Sequence, residues 1–147
     1  MEPKRKLEDM PITHALEYYK NHCEFLGYSI EEEGEFCIVC HHPRKDLLKL
    51  ILLKQNVGVM AQIIYSLPAK FYNDLIPLYM YVNELNSIFI FVKAYIRVFE
   101  DNSPIIVLTS VLEGEYSRHS FAIFLDNIDY DMRKFHSYPK TLDIWSE

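Results

Sequence analysis

The stretch CIVCHH at residues 37–42 decides what kind of protein this chain is. Read alone, Cys-x-x-Cys-His is the spacing of covalent haem attachment, and two thiols with two imidazoles could ligate zinc. The neighbouring residues instead alternate with a period of two from position 36 to 41, which predicts a β-strand. In a strand, Cys37 and Cys40 point to opposite faces with Cα atoms about 10 Å apart. That separation exceeds the roughly 7 Å limit of a disulfide and prevents a shared tetrahedral zinc.

We therefore predict no haem or metal at this stretch, and no cofactor for the chain as a whole. His41 and His42 fall at the end of the strand, where a solvated pair is expected. A weak surface site that combines them with ligands from another chain stays open.

The segments around this strand predict an antiparallel sheet preceded by a helix. Apolar side chains spaced three and four apart over 12–26 predict a helix, with Asp9 as its cap and Gly27 at its end. Residues 28–31 pair with the CIVCHH strand across a turn at Glu33-Gly34. Two further strands are predicted at 47–53 and 59–67.

The second half of the chain predicts helix, hairpin and helix. The helix begins near Leu75, because a proline such as Pro77 is tolerated only in the first turn. Its predicted apolar face consists of Leu75, Leu78, Tyr79, Val82 and Leu85. Strands follow at 88–99 and 105–112, and a last helix is capped by Ser117. The apolar stripe of this last helix consists of Phe121, Phe124, Leu125, Ile128, Met132 and Phe135. The predicted class is α+β, a two-layer fold with an antiparallel sheet covered by helices on one side. Its element order is helix, three or four strands, helix, two strands, helix.

This order predicts one domain over residues 11–136. It would be flanked by a flexible N-terminus over 1–10 and a C-terminal tail over 137–147, where no clear period occurs.

The pair Asn83 and Asn86 at the end of the second helix, with Glu113-Gly114 before the last helix, carries a family resemblance. In these residues and in element order, residues 11–135 resemble the YbjN family, which shares its fold with the type III secretion chaperones. The resemblance implies an often dimeric α+β protein that acts as a regulator or chaperone-like binder, with no catalytic residues. From the residues alone, Asn83 and Asn86 are expected to bond backbone groups near the helix end.

Composition limits the classes of partner. The 147 residues include 21 acidic and 15 basic side chains, a net charge of −6, which disfavours nucleic-acid binding. The charged first residues indicate no secretory signal, and the apolar runs are shorter than the roughly 20 residues of a membrane span. Three cysteines in such a chain favour a cytoplasmic setting with free thiols. We expect no nucleic-acid partner and no membrane partner.

Acidic and nucleophilic residues have ordinary explanations. Glu31, Glu32 and Glu33 precede the turn of a hairpin, where a solvated tip is expected; if functional, they form an acidic surface for a basic partner. Asp126, Asp129 and Asp131 are expected on the solvated face of the last helix. Ser117 and His119 have no third residue that would complete a catalytic triad. We expect no catalytic residues and no enzyme.

Aromatic residues give the one positive signal. Among eleven tyrosines, Tyr18 and Tyr81 lie off the apolar stripes of their helices, and Met80 adjoins Tyr81. Exposed tyrosine beside methionine is typical of protein interfaces, although partial burial at the rim of a sheet would explain it equally well. The candidate partner-binding residues are Tyr18, Met80, Tyr81, Glu31, Glu32, Glu33 and Asp126.

The sequence thus favours a cytoplasmic, non-enzymatic module that binds a partner protein stoichiometrically. The partner would be a client or a regulatory target, and a homodimer is a further expectation. The alternative is an immunity protein that neutralises a cognate secreted toxin by direct binding.

Overall fold

The computed structural model describes residues 12–54 and 57–146, with side chains from Ala15 onward. The predictions made for residues 1–10, including the Asp9 cap, lie outside this range. The helices of the described residues are α1 (Ile12–Phe25), α2 (Ile76–Ile88), α3 (Arg118–Ser137) and α4 (Pro139–Trp145). The strands are β1 (Ser29–Glu33), β2 (Cys37–His42), β3 (Lys45–Leu52), β4 (Gly58–Ser66), β5 (Lys93–Val98) and β6 (Pro104–Glu113).

The six strands form one sheet in the order β1-β2-β3-β4-β6-β5. Of the predicted three or four strands between the first two helices, all four are present. The hairpin pairs β1/β2, β2/β3, β3/β4 and β5/β6 are all antiparallel. The predicted α+β class with an antiparallel sheet is confirmed.

By its internal contacts the chain divides into two compact units. The first unit contains the described residues up to Ile63 together with Val111–Phe124, and the second contains Ile64–Ser110 and the chain from Leu125 onward. Strands β4 and β6 each begin in one unit and end in the other.

The first unit buries the helix-facing side of the CIVCHH strand. Ile38 pairs with Leu50 across β2 and β3, and Leu50 pairs with Ala61 of β4, so buried side chains of three strands lie in line. Cys40 is fully buried and is hydrogen-bonded to Cys23 of α1, whereas Cys37 is only half-buried. The predicted strand at residues 37–42, with its two cysteines on opposite faces, is confirmed.

Helix α1 ends as its sequence predicts. Gly27 adopts a φ of +97°, a backbone conformation that residues other than glycine rarely adopt. The N–H groups of Gly27 and Tyr28 donate to the carbonyls of Glu24 and Cys23, which is the Schellman arrangement. This termination turns the chain directly into β1.

The second unit contains a buried carboxylate that sequence reasoning placed wrongly. Asp131 of α3 is fully buried, whereas a solvated face was expected. Its Oδ2 accepts hydrogen bonds from the N–H groups of Ile90, Phe91 and Val92 at 3.1, 2.6 and 2.8 Å. The chain after α2 is therefore held as a loop, and β5 begins at Lys93 instead of the predicted residue 88.

Strand β5 is at the end of the sheet order, so it has a neighbouring strand on one side only. A side chain of α2 forms hydrogen bonds with its backbone. The side-chain amide of Asn86 donates to the carbonyl of Ala94 at 3.0 Å and accepts from the N–H of Ala94 at 2.8 Å. Asn86 therefore bonds backbone groups as expected, but these groups belong to β5 and not to the end of the helix.

Residues 139–145, for which the sequence pattern predicts no element, form α4. Three side chains attach this helix within the second unit. The hydroxyls of Thr141 and Tyr81 lie 2.6 Å apart, Lys140 pairs with Glu84 at 2.6 Å, and the indole N–H of Trp145 donates to a backbone carbonyl at 2.9 Å.

Candidate protein-binding surface

Exposed aromatic and apolar side chains gather on α1 of the first unit. Tyr18 is 47% exposed and Phe25, two helical turns further along, is 76% exposed. Leu26 adjoins them at the end of the helix, Tyr116 lies in the segment before α3, and Arg118 is the first residue of α3. These five residues are called the aromatic surface below.

Tyr116 fixes the position of Tyr18. The two rings are stacked, with centroids 5.3 Å apart and an interplanar angle of 7°. Tyr19, which is buried in the core, contacts the Tyr116 ring edge-on at 5.2 Å. Because Tyr116 is held between a core residue and Tyr18, the exposed ring of Tyr18 is ordered before any partner arrives.

His22 holds the hydroxyl of Tyr116. Its Nδ1 lies 2.8 Å from the Tyr116 oxygen. Burial, together with the positive charge of Arg118, lowers the pKa of His22. The imidazole is therefore neutral at pH 7, and its Nδ1 shares a hydrogen bond with the Tyr116 hydroxyl in which either group can be the donor. Burial also raises the pKa of Tyr116 and raises that of Tyr19 to about 12, so both phenols keep their protons.

Arg118 covers part of Phe25. Its guanidinium carbon lies 5.6 Å from the centroid of the Phe25 ring, within the range of a cation–π contact. Tyrosine, phenylalanine and arginine in one partly exposed cluster match the composition of residues that dominate the energy of protein interfaces. The arrangement is suited to binding a protein.

A second exposed apolar element lies in the second unit, on the loop held by Asp131. Ile90 is 65% exposed, and Phe91 contacts the ring of Tyr130 at 6.3 Å. The ammonium of Lys134 lies 4.5 Å from the centroid of the same tyrosine and also donates to the carbonyl of Ile88. This loop is apolar and hydrogen-bonded to Asp131, and the two exposed rings here, Phe91 and Tyr130, compare with three rings in the aromatic surface.

The predicted partner-binding residues are divided between the two units. Tyr18 belongs to the aromatic surface, whereas Met80 is 58% exposed on α2 and Asp126 is exposed on α3, both in the second unit. Glu31, Glu32 and Glu33 are exposed on β1 of the first unit, and Glu33 pairs with Lys20 at 3.2 Å.

The prediction that Tyr81 is an exposed partner-binding residue is wrong, because only 1% of its surface is exposed. Burial raises its pKa to about 12, and its hydroxyl bonds to Thr141. Tyr81 is therefore a core residue of the second unit and does not form part of an exposed surface.

Sequence reasoning missed Phe25, Tyr116 and Arg118. Phe25 could have been found, since it lies seven residues after Tyr18 and hence on the same helix face. Tyr116 and Arg118 carry no such signal, because they approach α1 only through the tertiary fold.

The histidines after Cys40 make local contacts. The Nδ1 of His42 accepts the N–H of Arg44 at 3.1 Å, and its ring contacts Tyr28 at 5.0 Å. Within residues 12–54 and 57–146, His, Cys, Asp and Glu side chains do not form a group of three that could hold a metal ion. Over the same residues, no helix has both the length and the hydropathy needed to cross a membrane.

Comparison with known proteins bears on the fold. No protein-family model matches the sequence, and no curated protein matches it. A search of solved structures finds YbjN from E. coli, described as a candidate transcription regulator, with a TM-score of 0.64. The match covers 84% of this chain and 92% of that one at 17% identity. The chain has a YbjN-like fold. At this identity the likeness shows the fold alone, so the YbjN-like fold is the part of the predicted resemblance that is confirmed.

Proposed function

We propose that this chain is a cytoplasmic, non-enzymatic module that binds a partner protein stoichiometrically through the aromatic surface. The observation that supports this most strongly is the ordered ring of Tyr18, stacked on Tyr116 beside the exposed ring of Phe25. Aromatic side chains that are already ordered lose little conformational entropy on binding, so their burial contributes directly to affinity.

The YbjN-like fold is compatible with this proposal. The structural neighbour is described as a candidate regulator, which is a role that proteins can fulfil by binding other proteins. The acidic composition of this chain supports a protein partner over a nucleic acid.

Two matched variants test the proposal. The double variant Tyr18→Ala/Phe25→Ala removes both exposed rings, and Tyr79→Ala/Met80→Ala removes two exposed side chains of α2 in the second unit. Each variant and the unaltered protein would serve as bait in native-cell extract, with quantitative mass spectrometry of the captured proteins. We expect a partner that is captured by the unaltered protein and by the α2 variant but is reduced about tenfold or more with the α1 variant.

Equal capture by all three baits would contradict the assignment of binding to the aromatic surface. Circular dichroism and unfolding curves of the variants establish that the fold is retained, since all four side chains are substantially exposed.

The second candidate function is toxin immunity, and the exposed carboxylates of β1 favour it. Glu31, Glu32 and Glu33 are consecutive and exposed, and Glu35 follows in the turn. Such a cluster accelerates association with a basic domain by electrostatic steering, which weakens as salt screens the charges.

Genomic context and coexpression separate the two functions. A gene directly upstream that encodes a large secreted toxin would favour immunity, and coexpression of this chain should then abolish the toxicity of that protein. A partner captured from the cell without such a neighbouring gene would favour the regulator or chaperone-like role.

A further inference from the structure

We propose that the partner presents a basic segment to the aromatic surface, with an arginine side chain stacked on the open face of Tyr18. This inference rests on the proposed function and specifies the chemistry of the partner. It is argued from the ring geometry, from a contact that the chain makes with itself, and from the charges around the rings.

One face of the Tyr18 ring is already occupied. Tyr116 stacks on it at 5.3 Å, yet 47% of the Tyr18 side chain stays exposed. The other ring face of Tyr18 is electron-rich, open and fixed in position, which suits a cation. Because the stacking on Tyr116 already orders the ring, binding requires no further ordering of it.

The contact between Arg118 and Phe25 shows which group this surface accepts. In it, a guanidinium lies 5.6 Å above an aromatic ring of the same helix that carries Tyr18. Tyr18 is a second exposed aromatic ring on this helix, two turns from Phe25. Among the described residues, the cation–π contacts do not include Tyr18.

The charges beside the rings are mainly negative. Glu17, Glu24 and Glu115 are exposed, and each is the chain neighbour of an aromatic residue of the surface. Lys20 lies on the same helix but is paired with Glu33 at 3.2 Å. Within residues 15–26 and 115–121, Arg118 is the other lysine or arginine side chain, and it opposes the approach of a basic segment.

Arginine fits this environment better than lysine. The planar guanidinium stacks on a ring face and is more weakly hydrated than an ammonium group, so less hydration is lost on contact. The surface should therefore discriminate between two peptides of equal charge.

Labelled hexaarginine and hexalysine peptides provide the test, with affinity measured by fluorescence anisotropy at two salt concentrations. We expect hexaarginine to bind about three- to fivefold more tightly than hexalysine. Tyr18→Ala should remove that preference and Tyr18→Phe should keep most of it. Tyr79→Ala, which removes an exposed tyrosine of the second unit, should leave it unchanged.

Arg118→Ala supplies a variant whose effect cannot arise from misfolding. It frees the Phe25 ring and removes the opposing charge, so hexaarginine should bind more tightly than to the unaltered protein. Equal affinity for both peptides, or a preference that survives Tyr18→Ala, would overturn the inference and leave only general charge attraction.

The peptide experiment and the capture experiment can fail independently of each other. If the peptides are not discriminated but Tyr18→Ala/Phe25→Ala still loses the partner, the aromatic surface binds protein without an arginine. If arginine is preferred but capture is unaffected, the surface has the proposed chemistry and the partner binds elsewhere.

Discussion

Asp131 shows how much of this structure depends on a single side chain. Its carboxylate is fully buried and accepts hydrogen bonds from the three successive N–H groups of residues 90–92. The apolar spacing of α3 predicted the buried residues Phe121, Phe124, Leu125, Ile128, Met132 and Phe135 correctly. The same spacing could not predict Asp131, because its partners lie about 40 residues earlier in the chain and meet it only after folding.

We predict that Asp131→Ala lowers the free energy of unfolding by about 3 kcal/mol or more, since it leaves one buried and two part-buried N–H groups without their acceptor. Asp126→Ala is the matched control, because Asp126 is exposed on the same helix and its loss should change stability by less than about 0.5 kcal/mol. Urea unfolding of both variants gives the measurement. Similar stability of the two would show that the loop is held by other contacts.

At the scale of elements, the sequence identified those with a clear period and missed those fixed by contacts. Strands β2 and β6 and helices α1 and α3 were predicted within a few residues. Helix α2 was predicted with Tyr79 on its buried face, yet Tyr81 is buried with Leu78 and Leu85. A face with Tyr79 and a face with Tyr81 both fit the spacing of a helix. Tyr81 is the buried one because its hydroxyl forms a hydrogen bond with Thr141 of α4. A helix of seven residues is too short to show a period of its own.

We predict that acid weakens the attachment of α4. The hydrogen bond with Lys140 lowers the pKa of Glu84 below its ordinary 4.5, so the contribution of this pair is present above pH 4.5 and is lost as pH falls through the lowered pKa. Trp145, the one tryptophan of the chain, lies in α4 and reports the change through its fluorescence.

Glu84→Gln should show the altered emission already at neutral pH and lack the acid transition. Glu100→Gln, which changes an exposed glutamate outside this contact, should titrate like the unaltered protein. Identical acid titrations of Glu84→Gln and the unaltered protein would refute the role of this pair.

At the scale of the whole molecule, each unit contains one buried tyrosine whose pKa burial raises to about 12, Tyr19 in the first and Tyr81 in the second. The unfolded chain ionises these phenols near pH 10, whereas the folded chain does so near pH 12. The unfolded state therefore loses protons first, and stability should fall as pH rises from about 10 to about 12.

Unfolding measured between pH 9 and 11.5 checks this alkaline loss. Tyr19→Phe and Tyr81→Phe should each flatten the pH dependence, whereas the exposed Tyr79→Phe should not. At neutral pH, Tyr81→Phe should still cost about 1 kcal/mol, because Thr141 loses its hydrogen-bond partner. An unchanged alkaline slope in both buried variants would contradict the prediction.

The amide of Asn86 has a consequence for aggregation. It makes with Ala94 the two hydrogen bonds that the backbone of a further strand would make. An unprotected strand edge is a template on which another chain can pair, and proteins avoid this by covering the edge or charging it. Strand β1, at the other end of the sheet order, carries the consecutive carboxylates of Glu31–Glu33. Protection of this aromatic-rich chain against edge-to-edge aggregation therefore rests on a side-chain amide at one terminal strand and on charge repulsion at the other.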